Sequence, residues 1–234
     1  MRYTTVLFDA DGTLLDFLRS EKESVAQTLS DMGLSPTEEM LTVYSAINDS
    51  LWKRLERGEI EKQVLFYHRF ELLFAEYGLH ADPKETAVRY MTHLSGKGYV
   101  LAGAKELCQC LYGAVRLYLV TNGTESIQRG RWANSGLSPY FEDVFISDVI
   151  GYEKPDHRYF EYVAAHIPDF RRENTLLVGD SLTSDIPGGI GFGIDTCFYN
   201  PKGKSVPAEL RERLTYEATD FQQIYETIMQ GEGS

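Results

Sequence analysis

The strongest constraint in this sequence is a set of short apolar runs, each followed directly by a polar residue. The run Thr5–Phe8 ends at Asp9, and the chain then turns at Gly12. Short, β-branched runs bounded by a turn are typical of strands, and runs without polar alternation are typical of strands buried on both faces. Similar runs occupy residues 115–121, 143–147, 175–180 and 194–199. The pattern therefore predicts a parallel sheet.

The segments between these runs predict helices. Gly113 follows a helical stretch that begins near Gly103, and Gly136 follows one that begins near Thr124. A glycine just past the last helical turn is a common way for a helix to end. Strands that alternate with helices predict an α/β fold with right-handed crossovers.

Residues 17–93 have a different pattern, with apolar side chains every three or four positions and no strand signal. One such set is Leu41, Tyr44, Ile47, Leu51 and Leu55. We expect a small all-helical domain here, inserted after the first strand of a core made of residues 1–16 and 94–234. Ser20 with Glu23, and Ser35 with Glu38, predict capping boxes at the starts of two helices.

Charge and hydropathy exclude several kinds of partner. The net charge of -12 opposes binding to a nucleic acid polymer or an anionic membrane, because both select basic surfaces. The chain has no apolar run of about 18 residues, and its start, MRYTTVLFDADG, lacks the apolar core of a secretory signal. We expect a cytoplasmic protein. A small phosphorylated ligand is compatible with the charge, since a bound cation reverses the local potential.

Polar residues stand where the predicted strands end. They are Asp9 with Asp11, Thr121 with Asn122, Ser147 with Asp148, and Asp180. Ligands of parallel α/β sheets bind beyond these strand ends. A turn or helix cap explains any one of these residues, but not a convergent set of acids that also includes Asp185. Like charges converge in this way around a metal ion, so the set predicts a site for phosphoryl transfer.

Four segments also resemble the ordered motifs of the haloacid-dehalogenase superfamily. They are Asp9-Ala10-Asp11-Gly12-Thr13-Leu14, Thr121-Asn122-Gly123, Lys154-Pro155-Asp156, and Gly179-Asp180-Ser181 with Asp185. The resemblance implies a Rossmann-like core with a parallel sheet flanked by helices. It also implies that the helical insertion is a cap and that Mg²⁺ is the cofactor.

The resemblance assigns a role to each motif residue. Asp9 is implied to be the nucleophile that becomes phospho-aspartate, and Asp11 the acid that protonates the leaving oxygen and later activates water. Thr121 and Asn122 are implied to bind phosphoryl oxygens, and Lys154 to neutralise developing charge. The implied metal site consists of Asp9, the main-chain carbonyl of Asp11, Asp180, and Asp185, the last directly or through water.

The acid at position 11 favours phosphoryl transfer over dehalogenation, because a halide leaves without a proton. A receiver-type phosphorylation switch also gathers acids, a threonine and a lysine, but a helical insertion after the first strand has no place in it. A phosphomutase is the remaining alternative of this chemical class.

Substrate preference is expected to lie in the insertion. The segment Asn48–Trp52, the segments Gly58-Glu59-Ile60 and Arg69-Phe70, and the later Thr196-Cys197-Phe198-x-Asn200 resemble pyrimidine 5′-nucleotidases. The resemblance implies that Asn48 and Trp52 contact a pyrimidine nucleoside monophosphate. The alternative substrate is another small phosphomonoester, such as phosphoglycolate or a sugar phosphate. The alternative for Trp52 is that it packs in the core of the insertion and contacts no substrate.

Overall fold

The computed structural model describes residues 2–230, and a parallel sheet runs through the centre of this range. Its six strands are β1 (Thr5–Phe8), β2 (Arg116–Thr121), β3 (Asp143–Ile146), β4 (Thr175–Gly179), β5 (Asp195–Tyr199) and β6 (Tyr216–Ala218). They lie in the order β3-β2-β1-β4-β5-β6, and each neighbouring pair is parallel. The prediction of a Rossmann-like α/β fold is confirmed.

Helices connect the strands. They are α1 (Phe17–Asp31), α2 (Glu38–Glu56), α3 (Lys62–Tyr77), α4 (Pro83–Ser95), α5 (Ala104–Leu111), α6 (Glu125–Ser135), α7 (Ser147–Ile150), α8 (His157–His166), α9 (Asp185–Phe192), α10 (Ala208–Arg211) and α11 (Phe221–Gln230). Over residues 2–230, none of these helices combines the length and the apolar character needed to cross a membrane.

The central strands are apolar at successive positions because the sheet has a hydrophobic core on each face. Val6 and Phe8 of β1 belong to the core that includes α5 and α11. Leu7, which lies between them, belongs to the core on the other face, with α8 and α9. Side chains alternate across a strand, so a strand covered on both faces has no polar positions to alternate with.

The strand predictions agree with the structure to within one residue at each end. Strand β6 was not predicted, because it has only three residues and one of them is Glu217. It is formed by pairing with β5, where Phe198 lies opposite Glu217. A strand defined by its partner in this way leaves little periodic signal in its own sequence.

Helices α1–α4, which we call the helical insert (residues 17–95), pack around an aromatic core of their own. The ring centroids of Tyr44 and Phe70 lie 5.2 Å apart, and those of Phe70 and Tyr90 lie 5.6 Å apart. All three side chains are buried. Ile127 of α6 joins the same core, so the insert packs directly against the sheet-containing part of the protein.

Both predicted capping boxes are wrong. Helix α1 begins one turn earlier, at Phe17, because the side chain of Asp16 accepts a hydrogen bond from the backbone N–H of Arg19 at 3.0 Å. Ser20 lies inside the helix, where its hydroxyl donates to the carbonyl of Asp16. Helix α2 is capped by Thr37, which accepts from the N–H of Met40 at 3.2 Å. Each true cap lies within four residues of the predicted one, and both residues of each pair have cap propensity, so local pattern alone chose the wrong one.

The glycines of α9 bring that helix close to the sheet. A Cβ on Gly189 would lie 2.5 Å from Cγ2 of Thr196 and 3.0 Å from Cδ2 of Leu177. Gly193 ends the helix in the left-handed region, at φ 80°. The close approach holds Asp185, the first residue of α9, at the carboxyl end of β4.

Gly189→Ala is expected to lower the free energy of unfolding by about 1–3 kcal/mol, because an added methyl group overpacks the contact with β4 and β5. Gly191→Ala is the matched control in the same helix, since a Cβ there meets no atom of the described residues, 2–230, within 4 Å. This control is expected to be neutral or to stabilise by up to about 1 kcal/mol through helix propensity. Urea unfolding measures both. Equal effects would contradict the close packing of α9.

Candidate active site

The site lies where the chain order of the sheet reverses. Strand β1 pairs with β2 on one side and with β4 on the other. Crevices for ligands form at the carboxyl ends of strands at such a switch point. A cavity of about 710 Å³ lies there, between the strand ends and the helical insert. Each residue predicted for the site lines it: Asp9, Asp11, Asn48, Trp52, Thr121, Asn122, Lys154, Asp180 and Asp185.

Lys154 is buried at the floor of this cavity and joins two of the acids. Its Nζ donates to Oδ1 of Asp9 at 2.7 Å, to Oδ1 of Asp185 at 2.7 Å, and to the carbonyl of Val120 at 2.9 Å. These contacts use the three donors of an ammonium group. Burial by itself lowers the pKa of Lys154. The carboxylates of Asp185 and Asp9 raise this pKa by more than burial lowers it, so the net shift is upward. The side chain therefore stays charged.

Asp9 follows β1 directly and is also buried. Its Oδ2 accepts a hydrogen bond from the hydroxyl of Thr13 at 3.2 Å. Burial raises the pKa of Asp9, Lys154 opposes the rise, and the charges of Asp185 and Asp180 add to it, with a net upward shift. The ionised form that a nucleophile requires therefore depends on positive charge held inside the site.

Three acids at the strand ends form a group that fits a hard cation. One carboxylate oxygen from each of Asp9, Asp180 and Asp185 lies within 4.8 Å of the others. Oxygen-only ligand sets suit Mg²⁺. Gly12 lets the loop after β1 approach this group, because a Cβ there would lie 2.8 Å from Oδ2 of Asp180. The donor atoms and the close backbone approach together match a metal site.

Asp180 and Asp185 differ in their surroundings. Asp180 is partly exposed, and its Oδ2 lies 3.1 Å from Nζ of Lys204. Burial raises the pKa of Asp180 and the charge of Lys204 opposes that rise. Asp185 is buried, and each of its oxygens has a protein donor: Nζ of Lys154 for one and the N–H of Ser181, at 3.1 Å, for the other. Asp180 therefore has the more available carboxylate.

Asn122 has a contact that the sequence did not predict. Its Nδ2 donates to the carbonyl of Lys154 at 2.7 Å, and its Oδ1 accepts from the N–H of Lys154 at 2.7 Å. The amide thus fixes the backbone that carries the lysine. Thr121 lies at the end of β2 beside it, almost fully buried.

Asp11 is held by two residues of α6 that sequence reasoning missed. Oδ2 of Asp11 accepts from Nε2 of Gln128 at 2.7 Å, and Oδ1 accepts from Nη1 of Arg131. Residues three apart lie on the same face of a helix, and α6 begins directly after Thr121-Asn122-Gly123. This spacing was the available signal, but the sequence alone does not say which way that face points.

The helical insert contributes a buried polar group to the cavity wall. Nδ2 of Asn48 donates to Oε1 of Glu21 at 2.7 Å, and Nη1 of Arg69 donates to Oδ1 of Asn48 at 3.0 Å. Burial raises the pKa of Glu21, although hydrogen bonds from Ser45 and Asn48 oppose the rise. A carboxylate accepts and a guanidinium donates, so the two partners fix the orientation of the amide.

Other contacts of the insert face the strand ends. Trp52 is half-buried and lines the cavity. Lys62, at the start of α3, reaches across to Glu153, with its Nζ 3.0 Å from Oε1. Glu21 and Lys62 were not predicted, because their partners lie far away in the sequence.

Comparison with known proteins agrees with this fold. A family model for haloacid dehalogenase-like hydrolases matches residues 3–193. The pyrimidine 5′-nucleotidase PynA of Streptococcus pneumoniae is 40% identical over 97% of this chain and 96% of its own length. The pyrimidine 5′-nucleotidase YjjG of Escherichia coli is 30% identical over 88% of this chain and 90% of its own.

A solved structure extends the comparison. The HAD-hydrolase YfnB of Bacillus subtilis is 38% identical, and its crystal structure, bound to magnesium, matches with a TM-score of 0.93 over 98% of this chain and 100% of that one. The crystal structure of YfnB also reveals an interdomain movement in that protein. The family model and these relatives define a hydrolase. The chain belongs to the haloacid dehalogenase-like hydrolases.

Lys154→Met is expected to lower the free energy of unfolding by about 3–5 kcal/mol, because it leaves Asp9 and Asp185 buried without their counter-charge. The control is Lys53→Met, which removes an exposed lysine paired with Asp49 at 2.6 Å and should cost at most about 1 kcal/mol. Urea unfolding without added divalent cation measures both. A loss at Lys154 as small as the control would show that the buried pairs do not stabilise the fold.

Proposed function

We propose that the protein is a Mg²⁺-dependent phosphomonoester hydrolase that acts through a phospho-aspartate on Asp9, with pyrimidine nucleoside 5′-monophosphates as substrates. The observation that carries the proposal is the placement of Asp9. Asp9 lies at the switch point of the sheet, hydrogen-bonded to the buried Lys154 and close to Asp180 and Asp185. These residues line a cavity that the helical insert covers. A carboxylate in that setting is equipped for attack on phosphorus.

In the first half of the proposed reaction, a carboxylate oxygen of Asp9 attacks phosphorus and forms an acyl phosphate. The bond from phosphorus to the leaving oxygen breaks, and Asp11 gives that oxygen its proton. The hydroxyl of Thr121 and the N–H of Asn122 hold the phosphoryl oxygens, and the positive charge of Lys154 neutralises the negative charge that develops on them. When bound by Asp9, Asp180 and the carbonyl of Asp11, with Asp185 as a ligand directly or through water, Mg²⁺ would supply positive charge that offsets repulsion between the phosphate and Asp9.

In the second half, the carboxylate of Asp11 takes a proton from water as that water attacks phosphorus. The bond between phosphorus and Asp9 breaks, which releases phosphate and restores the Asp9 carboxylate. Asp11 is left protonated, ready for the next leaving group. One residue thus acts as acid and then as base, and the proton balance closes over a full turnover.

Two kinds of observation support a nucleotide substrate. The first is that PynA and YjjG, which match this chain over most of its length, are pyrimidine 5′-nucleotidases. The magnesium bound to YfnB supports the metal instead. The second observation is the size of the cavity. The cavity, about 710 Å³, is within the range of roughly 300–1,000 Å³ typical of small-molecule sites. We propose that residues 17–93 act as a cap over it, on a core of residues 1–16 and 94–234.

Two side chains of the insert are proposed to contact the nucleoside. Glu21 and Arg69 hold the amide of Asn48 in one orientation, which leaves it a fixed donor and acceptor for the edge of a base. Trp52 offers a flat apolar face on the cavity wall, suited to stacking. In this arrangement the residues at the strand ends bind the phosphate, and those of the insert bind the base.

Asp9→Asn is expected to reduce turnover by at least ~10³-fold, because an amide does not attack phosphorus while nearly preserving volume and polarity. Release of inorganic phosphate measures the rate, and thermal unfolding checks that the variant is folded. A folded variant that kept a tenth of the wild-type rate would rule out Asp9 as the nucleophile.

Activity is expected to disappear in excess chelator and to return with Mg²⁺ but poorly with Ca²⁺. Mg²⁺ requires near-octahedral geometry, whereas Ca²⁺ accepts more ligands and tolerates both oxygens of one carboxylate, which would occupy the attacking oxygen of Asp9. The measurement is phosphate release across a titration of each ion. Full activity in chelator would exclude the metal assignment.

Uridine 5′-monophosphate and its deoxy form are expected to be better substrates than purine nucleotides, phosphoglycolate or sugar phosphates. Trp52→Ala should raise KM for uridine 5′-monophosphate about tenfold, since stacking on a base contributes about 1–3 kcal/mol, and should leave p-nitrophenyl phosphate unchanged.

The control for this variant is Tyr112→Ala, which removes an exposed aromatic side chain near the opposite ends of the strands. It should change KM for neither substrate. A clear preference for purine nucleotides or phosphoglycolate would overturn the nucleotidase assignment. A Trp52→Ala variant that is only destabilised, by about 3–5 kcal/mol without any change in selectivity, would instead place Trp52 among the packing residues.

A further inference from the structure

We propose that Gln128 and Arg131 are positioning residues that hold the carboxylate of Asp11 in place for proton transfer. The inference rests on the proposed function, in which Asp11 is the acid and base. Nε2 of Gln128 donates to Oδ2 of Asp11 at 2.7 Å, and Nη1 of Arg131 donates to Oδ1. Each oxygen of the carboxylate therefore has its own donor, which fixes the rotation of the group as well as its place.

These two residues form a set of contacts separate from the one around Asp9. Lys154 binds Asp9 and Asp185, and Lys204 binds Asp180. Asp11 is held from α6 instead. Gln128 is buried, at 4% exposure of the residue, and the side chain of Arg131 is 1% exposed, whereas 27% of the Asp11 side chain remains exposed. The donors thus lie behind the carboxylate and leave it open to the cavity.

Helix α6 also carries the loop proposed to bind phosphate. The loop residue Gly123 packs against Gln128, and a Cβ at Gly123 would lie 2.2 Å from Cγ of Gln128. A side chain at Gly123 would therefore displace Gln128 from Asp11. Because the same helix follows Thr121 and Asn122 and also holds Asp11, it sets the distance between the bound phosphorus and the proton donor.

Arg131 extends these contacts to both connections between the helical insert and the sheet. Its Nε donates to the carbonyl of Lys97 at 3.2 Å, just after α4, and its guanidinium lies 5.4 Å from the ring of Phe17, the first residue of α1. One buried side chain therefore contacts Asp11 and both connections of the helical insert.

Loss of either contact is expected to let the Asp11 carboxylate rotate and to slow proton transfer to the leaving oxygen. Misplacement of a catalytic group by about 1 Å can cost about 10²-fold in rate. A basic ribose alkoxide needs that proton, and p-nitrophenolate needs it far less. The effect should therefore depend on the leaving group, which a general loss of folding would not produce.

The test compares single-turnover phosphorylation of Asp9 by uridine 5′-monophosphate and by p-nitrophenyl phosphate. Gln128→Met, which nearly preserves volume, should slow the nucleotide reaction about 10- to 100-fold and the aryl reaction less than about threefold. Arg131→Lys should lose less than Arg131→Met, because it keeps the charge. Arg129→Met, on the exposed face of α6, is the control and should change neither rate.

Asp11→Asn separates this inference from the function on which it rests. If that variant loses the same factor on both substrates, the acid role of Asp11 fails. If it loses more on the nucleotide, and Gln128→Met adds no further loss in its background, positioning through Asp11 is supported. Additive losses, or losses equal on both substrates for Gln128→Met, would overturn the positioning role and leave the proposed function standing.

Two further measurements keep the outcomes distinct. Thermal unfolding shows whether each variant is folded, and if the Arg131 variants are not, Gln128→Met decides the question. If the wild type does not hydrolyse uridine 5′-monophosphate, the proposed substrate is wrong, and phenyl phosphate replaces it as the ester with the more basic leaving group.

Discussion

The arrangement of the site depends on one buried ammonium group. Lys154 lies between Asp9 and Asp185, and its three donors are used by these two carboxylates and a carbonyl of β2. A lone carboxylate at this depth would lose its charge, because the interior solvates ions poorly. The lysine therefore makes it possible to bury the acids where the strands end. It also joins the end of β1 to β2 and α9, since Asp9 directly follows β1, Val120 lies in β2 and Asp185 begins α9.

Backbone geometry brings the remaining acids to the same place. Gly12 allows the loop after β1 to lie against Asp180, and Gly189 allows α9 to lie against the sheet. Without these close approaches, Asp180 and Asp185 would stand farther from Asp9. The charges that converge here are mutually repulsive, so the packing that forces them together works against electrostatic stability and in favour of binding a cation.

Asp9 and Asp11 are two residues apart, yet the structure gives them different partners. Asp9 forms an ion pair with Lys154, whereas Asp11 is hydrogen-bonded to Gln128 and Arg131 of α6. Separate environments are how two like side chains acquire different chemical tasks. In the proposed mechanism, the first attacks phosphorus and the second moves protons. The helical insert forms another wall of the cavity, where Asn48 is held between Glu21 and Arg69.

The sequence by itself determined the parallel α/β fold, five of the strands, the helical insertion and the motif residues at the strand ends. Each of these has a local signature: an apolar run, a helical repeat, or a short motif at a strand end. The sequence misplaced the caps of α1 and α2, because two residues within four positions of each other have similar cap propensity at each helix start. It also missed β6, which pairs with β5 and is too short to show a period.

Only the tertiary structure decided which side chains outside the motifs meet the site. Asp11 and Arg131 are 120 positions apart, and Lys62 and Glu153 are 91 apart. The spacing of Gln128 and Arg131 put them on one face of α6, but the packing of that helix decided that this face meets Asp11. Such contacts depend on how whole elements pack, and local periodicity carries no information about a partner that lies across the fold.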